Sequence, residues 1–135
     1  MTMRALAAIA VLVSAAVHLS LWFDGVRDDD VIGPAFMLNA VGGAVIAVLL
    51  LAWRHWIPPF LAVGFGLSTL AAFIISASVG LFGFESTWEG WEVWTAAVAE
   101  VVAVVCGALL LRDDNPLRSR GQPQHNTSVQ RSHLD

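Results

Sequence analysis

Four long apolar stretches, each about as long as the roughly 20 residues a helix needs to cross a bilayer, decide what this chain can become. They occupy residues 5–23, 34–53, 58–83 and 91–111, and polar or charged residues such as Asp24, Arg54 and Arg112 close them. Unpaired backbone groups in hydrocarbon are so costly that only helices and closed barrels span membranes, and the alternating pattern of barrel strands is absent. The expected fold is therefore all-α, a four-helix transmembrane bundle with short loops over residues 1–111. The third stretch is the longest and is expected to tilt or fray. Pro34 and Pro58 fall in first helical turns, where proline is tolerated. Residues 112–135 are polar, with Pro and Gly, and read as a disordered tail.

The first span also carries signal-peptide features, with Arg4 ahead of it and Ser14-Ala15-Ala16 as a cleavage-like site. Its apolar run continues through Leu19, Leu21, Trp22 and Phe23, which argues for a retained helix. Orientation follows from arginine. With the N-terminus inside, Arg4, Arg54, Arg112, Arg118, Arg120 and Arg131 are cytoplasmic and Arg27 alone is outside. Both termini are then expected on the cytoplasmic side of a bacterial cytoplasmic membrane. Trp22, Trp88, Trp91 and Trp94 mark the outer interface, Trp53 and Trp56 the inner one.

Composition excludes several function classes. The chain has 57% hydrophobic and 13% charged residues, a net charge of −4 and no Lys, so it offers no basic surface to nucleic acid. One cysteine, Cys106, excludes an internal disulfide and a cysteine-based zinc site. The motifs of metalloproteases, serine hydrolases and phosphate-binding loops are missing, and nothing sets a nucleophile beside a base. The chain is expected not to be an enzyme. His18 and His55 sit at opposite surfaces, which disfavours a two-histidine haem, and no metal or cofactor is expected.

Ionisable groups inside a membrane cost about 3 kcal/mol or more and are candidate functional sites by default. His18 in the first span and Glu100 in the fourth are such groups. With Asn39 and Ser76 they lie about 8–12 Å below the outer helix ends at 1.5 Å per residue, all in the outer half of a core about 30 Å thick. Helical phase puts each on a stripe of small residues: Ala10, Ser14 and His18; Ala35, Asn39, Gly43 and Ala47; Ser68, Ala72, Ser76 and Gly80; Ala96, Glu100, Ala103 and Gly107. Facing inward, these stripes predict an intramembrane polar pocket of His18, Asn39, Ser76 and Glu100. A protonated Glu100 bonded to Asn39 or Ser76 would instead lock the bundle.

The outer loops add Asp24, Asp28, Asp29 and Asp30 on one side and Glu85, Glu89 and Glu92 on the other, a candidate acidic mouth. If residues 85–100 form one helix, Glu85, Glu89, Glu92 and Glu100 share an arc of about 80°. The aspartate run lacks the spacing of an EF-hand and reads as a solvated loop. Two functions remain. The first is a non-enzymatic accessory or assembly protein, bound to lipid and to a membrane-protein partner or a second copy through its small-residue stripes. The second is a small transporter or proton- and cation-handling protein built on Glu100 and His18.

Segments such as SAAVHLSLW, GPAFMLNAVGGAVIAVLL and TAAVAEVVAVV, with Arg used without Lys, resemble the small four-span membrane proteins of high-GC actinobacteria. That resemblance covers residues 1–111 and brings no activity with it. The chain is also similar in size and span number to small multidrug exporters. That family is built around a Glu in its first helix; here the intramembrane Glu is in the last.

Overall fold

In the computed structural model, which describes residues 2–83 and 85–114, four helices account for most of the described residues: α1 (Met3–Phe23), α2 (Ile32–Ala52), α3 (Ile57–Val79) and α4 (Trp91–Asp113). Each is long and apolar enough to cross a membrane. The chain is a small multi-pass membrane protein with the expected all-α architecture. The expected tail lies outside the described residues from position 115 onward.

Local chemistry sets the helix ends. Thr2 caps α1, its Oγ1 accepting from the Ala5 N–H at 3.3 Å. Asp29 Oδ1 accepts from the N–H groups of Val31 (3.0 Å) and Ile32 (2.7 Å), at the start of α2. α3 opens on Ile57-Pro58-Pro59, where missing N–H groups cost nothing. It closes earlier than the expected residue 83, because Gly80 takes a φ of 77° that side chains with a Cβ resist. Residues 85–90 are not helical, so Glu85 and Glu89 do not continue the α4 helix as the single-helix arc required.

Short connections make the helices alternate in direction. Residues 24–31, 80–83 and 85–90 lie at one end, called the loop end. The start of α1, the turn at residues 53–56 and the end of α4 lie at the other, the Arg4 end. Around the bundle the order is α2, α1, α4, α3. α1 packs closely against α2 and α4, and α3 against α4, whereas α2 and α3 touch sparsely. α1 is the most enclosed helix.

The core fills the Arg4 half. Ala7, Ala8 and Val11 of α1 meet Ala47 and Leu50 of α2, Ala62 of α3, and Ala103, Cys106 and Leu110 of α4. Close approach depends on absent side chains. A Cβ on Gly43 would lie 2.8 Å from the Cβ of Ala15, and one on Gly107 2.9 Å from the Pro59 carbonyl oxygen. The stripe on α3 departs from expectation. Ser68 faces outward, and the buried line runs through Pro59, Ala62 and Gly66 to Ser76. On α2, Gly43 and Ala47 are buried but Ala35 is exposed.

The Arg4 end is closed by one guanidinium. Arg4 donates to the carbonyls of Leu50 (3.3 Å), Trp53 (3.1 Å) and His55 (3.2 Å) and pairs with the carboxylate of Asp114. It thereby satisfies orphan carbonyls around the end of α2 and ties them to the end of α4. In the sequence Arg4 reads as a cytoplasmic charge and a signal-peptide-like feature, not as a clamp on other helix ends. Its depth at a helix start, opposite two other helix ends, was the available signal.

Candidate functional site

At the loop end the packing opens. A cavity of about 270 Å³ lies among the four helices and the α3–α4 connection, lined by His18, Phe36, Thr69, Phe73, Glu85, Glu89, Glu92 and Glu100 together with Ser86, Thr87 and apolar residues. No Arg lines it among the described residues. Its volume lies just below the range of about 300–1,000 Å³ typical of drug-sized ligand sites.

Glu100 is 2% exposed. Its Oε1 accepts from the Ser14 hydroxyl at 2.9 Å, while Oε2 has no hydrogen-bond partner among the described residues. Ser14 is fully buried on α1 at the point where α4 crosses, one helical turn from His18. His18 Nδ1 lies 2.8 Å from the Ser14 carbonyl oxygen. A carbonyl can only accept, so Nδ1 carries the proton and donates, and Nε2 of the neutral ring is an acceptor. The ring rests on Phe36, with centroids 4.9 Å apart. Ser14 is thus the link between the two ionisable groups. The expected partners of Glu100, Asn39 and Ser76, do not bond it. Ser14 was legible as a stripe residue, but only the α1–α4 contact picks it out.

Asn39 stands one groove away. Its Nδ2 donates to Thr69 Oγ1 at 2.9 Å, and Thr69 in turn donates to the Phe65 carbonyl at 2.7 Å. With the threonine proton committed, the Asn39 atom facing it must be the amide nitrogen. Oδ1 is left buried and without a hydrogen-bond partner. Asn39 lines a groove of about 340 Å³ between α2 and α3, which His18, Phe36 and Thr69 also line.

Ser76 has a different task. Its Oγ accepts from the Ser86 N–H (3.1 Å) and from the Ser86 hydroxyl (2.9 Å), holding the α3–α4 connection against α3. This brings Glu85 and Glu89 to the cavity mouth. Trp88 packs edge-on against Phe73 at 4.6 Å and beside Trp94 at 5.6 Å, steadying the same segment.

The acidic mouth divides. Glu85, Glu89 and Glu92 line the cavity; Asp24, Asp28, Asp29 and Asp30 do not. Asp24 accepts from Ser20 at 3.5 Å, and exposed Asp28 lies 3.8 Å from Arg27. Asp29 caps α2, and the two backbone N–H groups it accepts hold its carboxyl below the ordinary value. Among the described residues no three His, Cys, Asp or Glu side chains are grouped so as to hold a metal ion. No protein-family model, curated protein or solved structure matches this chain.

Proposed function

We propose that this protein is a non-enzymatic membrane protein that takes protons or a small organic cation into the loop-end cavity, with Glu100 as the anionic floor and His18 as a neutral acceptor beside it. The observation that carries this reading is the cavity itself. It places a deeply buried carboxylate with one unbonded oxygen behind a mouth of three glutamates, with no Arg lining the cavity among the described residues. Burial of that kind is costly in lipid and is kept where it serves a ligand or a proton. The arginine bias supports a loop end on the outside, an orientation in which the cavity opens to the external face. Below Glu100 the Arg4 half is packed with small apolar side chains. Ligand exchange therefore proceeds from the external side, and passage to the cytoplasm requires the helices to rearrange.

The test is titration of the purified protein in nanodiscs with benzylammonium, read by tryptophan fluorescence, since Trp88 packs on the cavity wall at Phe73. Saturable quenching that Glu100→Gln abolishes is the expected result. Equal quenching in that variant overturns the reading. Proton- or cation-coupled flux in proteoliposomes, lost in the same variant, would extend it from binding to transport.

A second reading, self-association or docking on a membrane-protein partner, has one observation in its favour. Gly64, Ser68 and Ala71 form an exposed small-residue line on α3, with nothing within 4 Å of a Cβ at Gly64. The other close-packing glycines, Gly43, Gly66 and Gly107, are used inside the bundle. Gly64→Leu should break any dimer seen by cross-linking in membranes; an unchanged dimer excludes this face.

A further inference from the structure

We propose that the cavity and the groove between α2 and α3 are two halves of one site for a single-chain primary ammonium amphiphile, with the ammonium at Glu100 and His18 and the chain lying in the groove. The proposal rests on the cation reading above and names its ligand class.

Three observations lead to it. First, the cavity adjoins a lateral groove. His18, Phe36 and Thr69 line both spaces, and the same three residues border a further void of about 80 Å³. The groove exists because α2 and α3, neighbours in sequence, are the least closely packed neighbours in the ring. Its rim carries Leu38, 73% exposed, and the exposed Ala35, so it faces acyl chains rather than water.

Second, the deepest polar atoms left unbonded in these spaces can accept: Oε2 of Glu100 when ionised, Nε2 of His18 when the ring is neutral, and the buried Oδ1 of Asn39. The Asn39 assignment follows from the committed Thr69 proton. Acceptors of this kind are matched by a group that only donates. A primary ammonium carries three N–H donors and a positive charge; a quaternary ammonium carries the charge alone.

Third, the halves differ in character. Acidic residues crowd the cavity, while the groove is mostly aliphatic and aromatic, with Asn39 at its deeper part. One end suits a cation and the other a hydrocarbon chain, with both reached from the same leaflet.

The experiment uses the full chain in nanodiscs and three probes: butylammonium, dodecylammonium and dodecyltrimethylammonium. Comparing variants in the same lipid cancels partition of the probes into the bilayer. Wild type should bind dodecylammonium about tenfold or more tightly than dodecyltrimethylammonium. Ala35→Phe, and independently Leu38→Trp, should weaken dodecylammonium binding about tenfold and leave butylammonium unchanged. Both positions are exposed, so the fold tolerates the change. Equal binding of the two dodecyl probes overturns the primary-ammonium assignment. Dodecylammonium binding that neither groove variant weakens overturns the shared site, while leaving the cavity as a cation site. If Glu100→Gln retains butylammonium binding, it is the underlying cation reading that falls.

Discussion

Two glycines on α3, two residues apart, offer a sharp test of how this bundle is held. A Cβ at Gly66 would lie 2.6 Å from Val104 Cγ2 and 2.8 Å from the Glu100 carbonyl oxygen. Ordinary contact begins at 3.4 Å, so clearing the carbonyl requires Gly66→Ala to part α3 from α4 by about 0.6 Å. The valine can rotate; the carbonyl belongs to the α4 backbone and cannot. Overpacking of this kind costs about 1–3 kcal/mol. Gly64→Ala meets nothing within 4 Å. Alanine's better helix propensity should make that change neutral or stabilising by up to about 1 kcal/mol. The assay is unfolding in mixed micelles by added SDS, followed by circular dichroism, with both variants side by side. Gly66→Ala should unfold earlier and Gly64→Ala no earlier than wild type. Because the obstructing carbonyl is that of Glu100, Gly66→Ala should also weaken benzylammonium binding. Equal stability of the two variants would refute the close α3–α4 crossing.

Other consequences can be measured in the same way. Arg4→Ala removes the donor to three carbonyls and the partner of Asp114; it should cost about 2 kcal/mol or more in the SDS assay, with Arg4→Lys intermediate. A double-mutant cycle on Ser14→Ala and Glu100→Leu should give a coupling of about 0.6–1.7 kcal/mol, the range of intramembrane hydrogen bonds; additive effects would mean that the Ser14–Glu100 bond contributes nothing. The Asp29 carboxyl sits below its ordinary 3.8 in the folded protein, so its stabilisation is complete above that pH and is lost as pH falls through the lowered value. Thermal stability of the wild type should therefore drop more steeply on acidification below 3.8 than that of Asp29→Asn, which keeps an acceptor without the titrating charge.

Much of this architecture was legible because lipid leaves so few alternatives. Apolar length alone gives four helices, and the observed ends fall within a few residues of those read from Asp24, Arg54 and Arg112. The stripes on α1 and α4 were also legible, since Ser14, His18, Glu100 and Gly107 recur at helical spacing and are buried. On α3, Ser68 and Gly66 are two positions apart and both small, so composition could not say which one faces α4. The loop end was harder. Whether Glu85 and Glu89 continue a helix depends on the Ser76–Ser86 bonds and the backbone at Gly90, which are not encoded in hydropathy. The aspartates of the first loop were indistinguishable by charge from the glutamates of the second; only packing assigns Asp29 to a helix cap and Glu92 to a cavity wall.

The ring order of the helices fixes a timetable for assembly. As the chain is made, α1 and α2 can pair as soon as both are inserted. α3 arrives to find few complementary surfaces, since its main neighbour has yet to be synthesised. α4 comes last and wedges between the first and third spans, delivering Glu100 to a waiting Ser14. A nascent protein cut short before residue 91 would therefore hold a paired hairpin and a stray third span, exposed to whatever quality control patrols the bilayer.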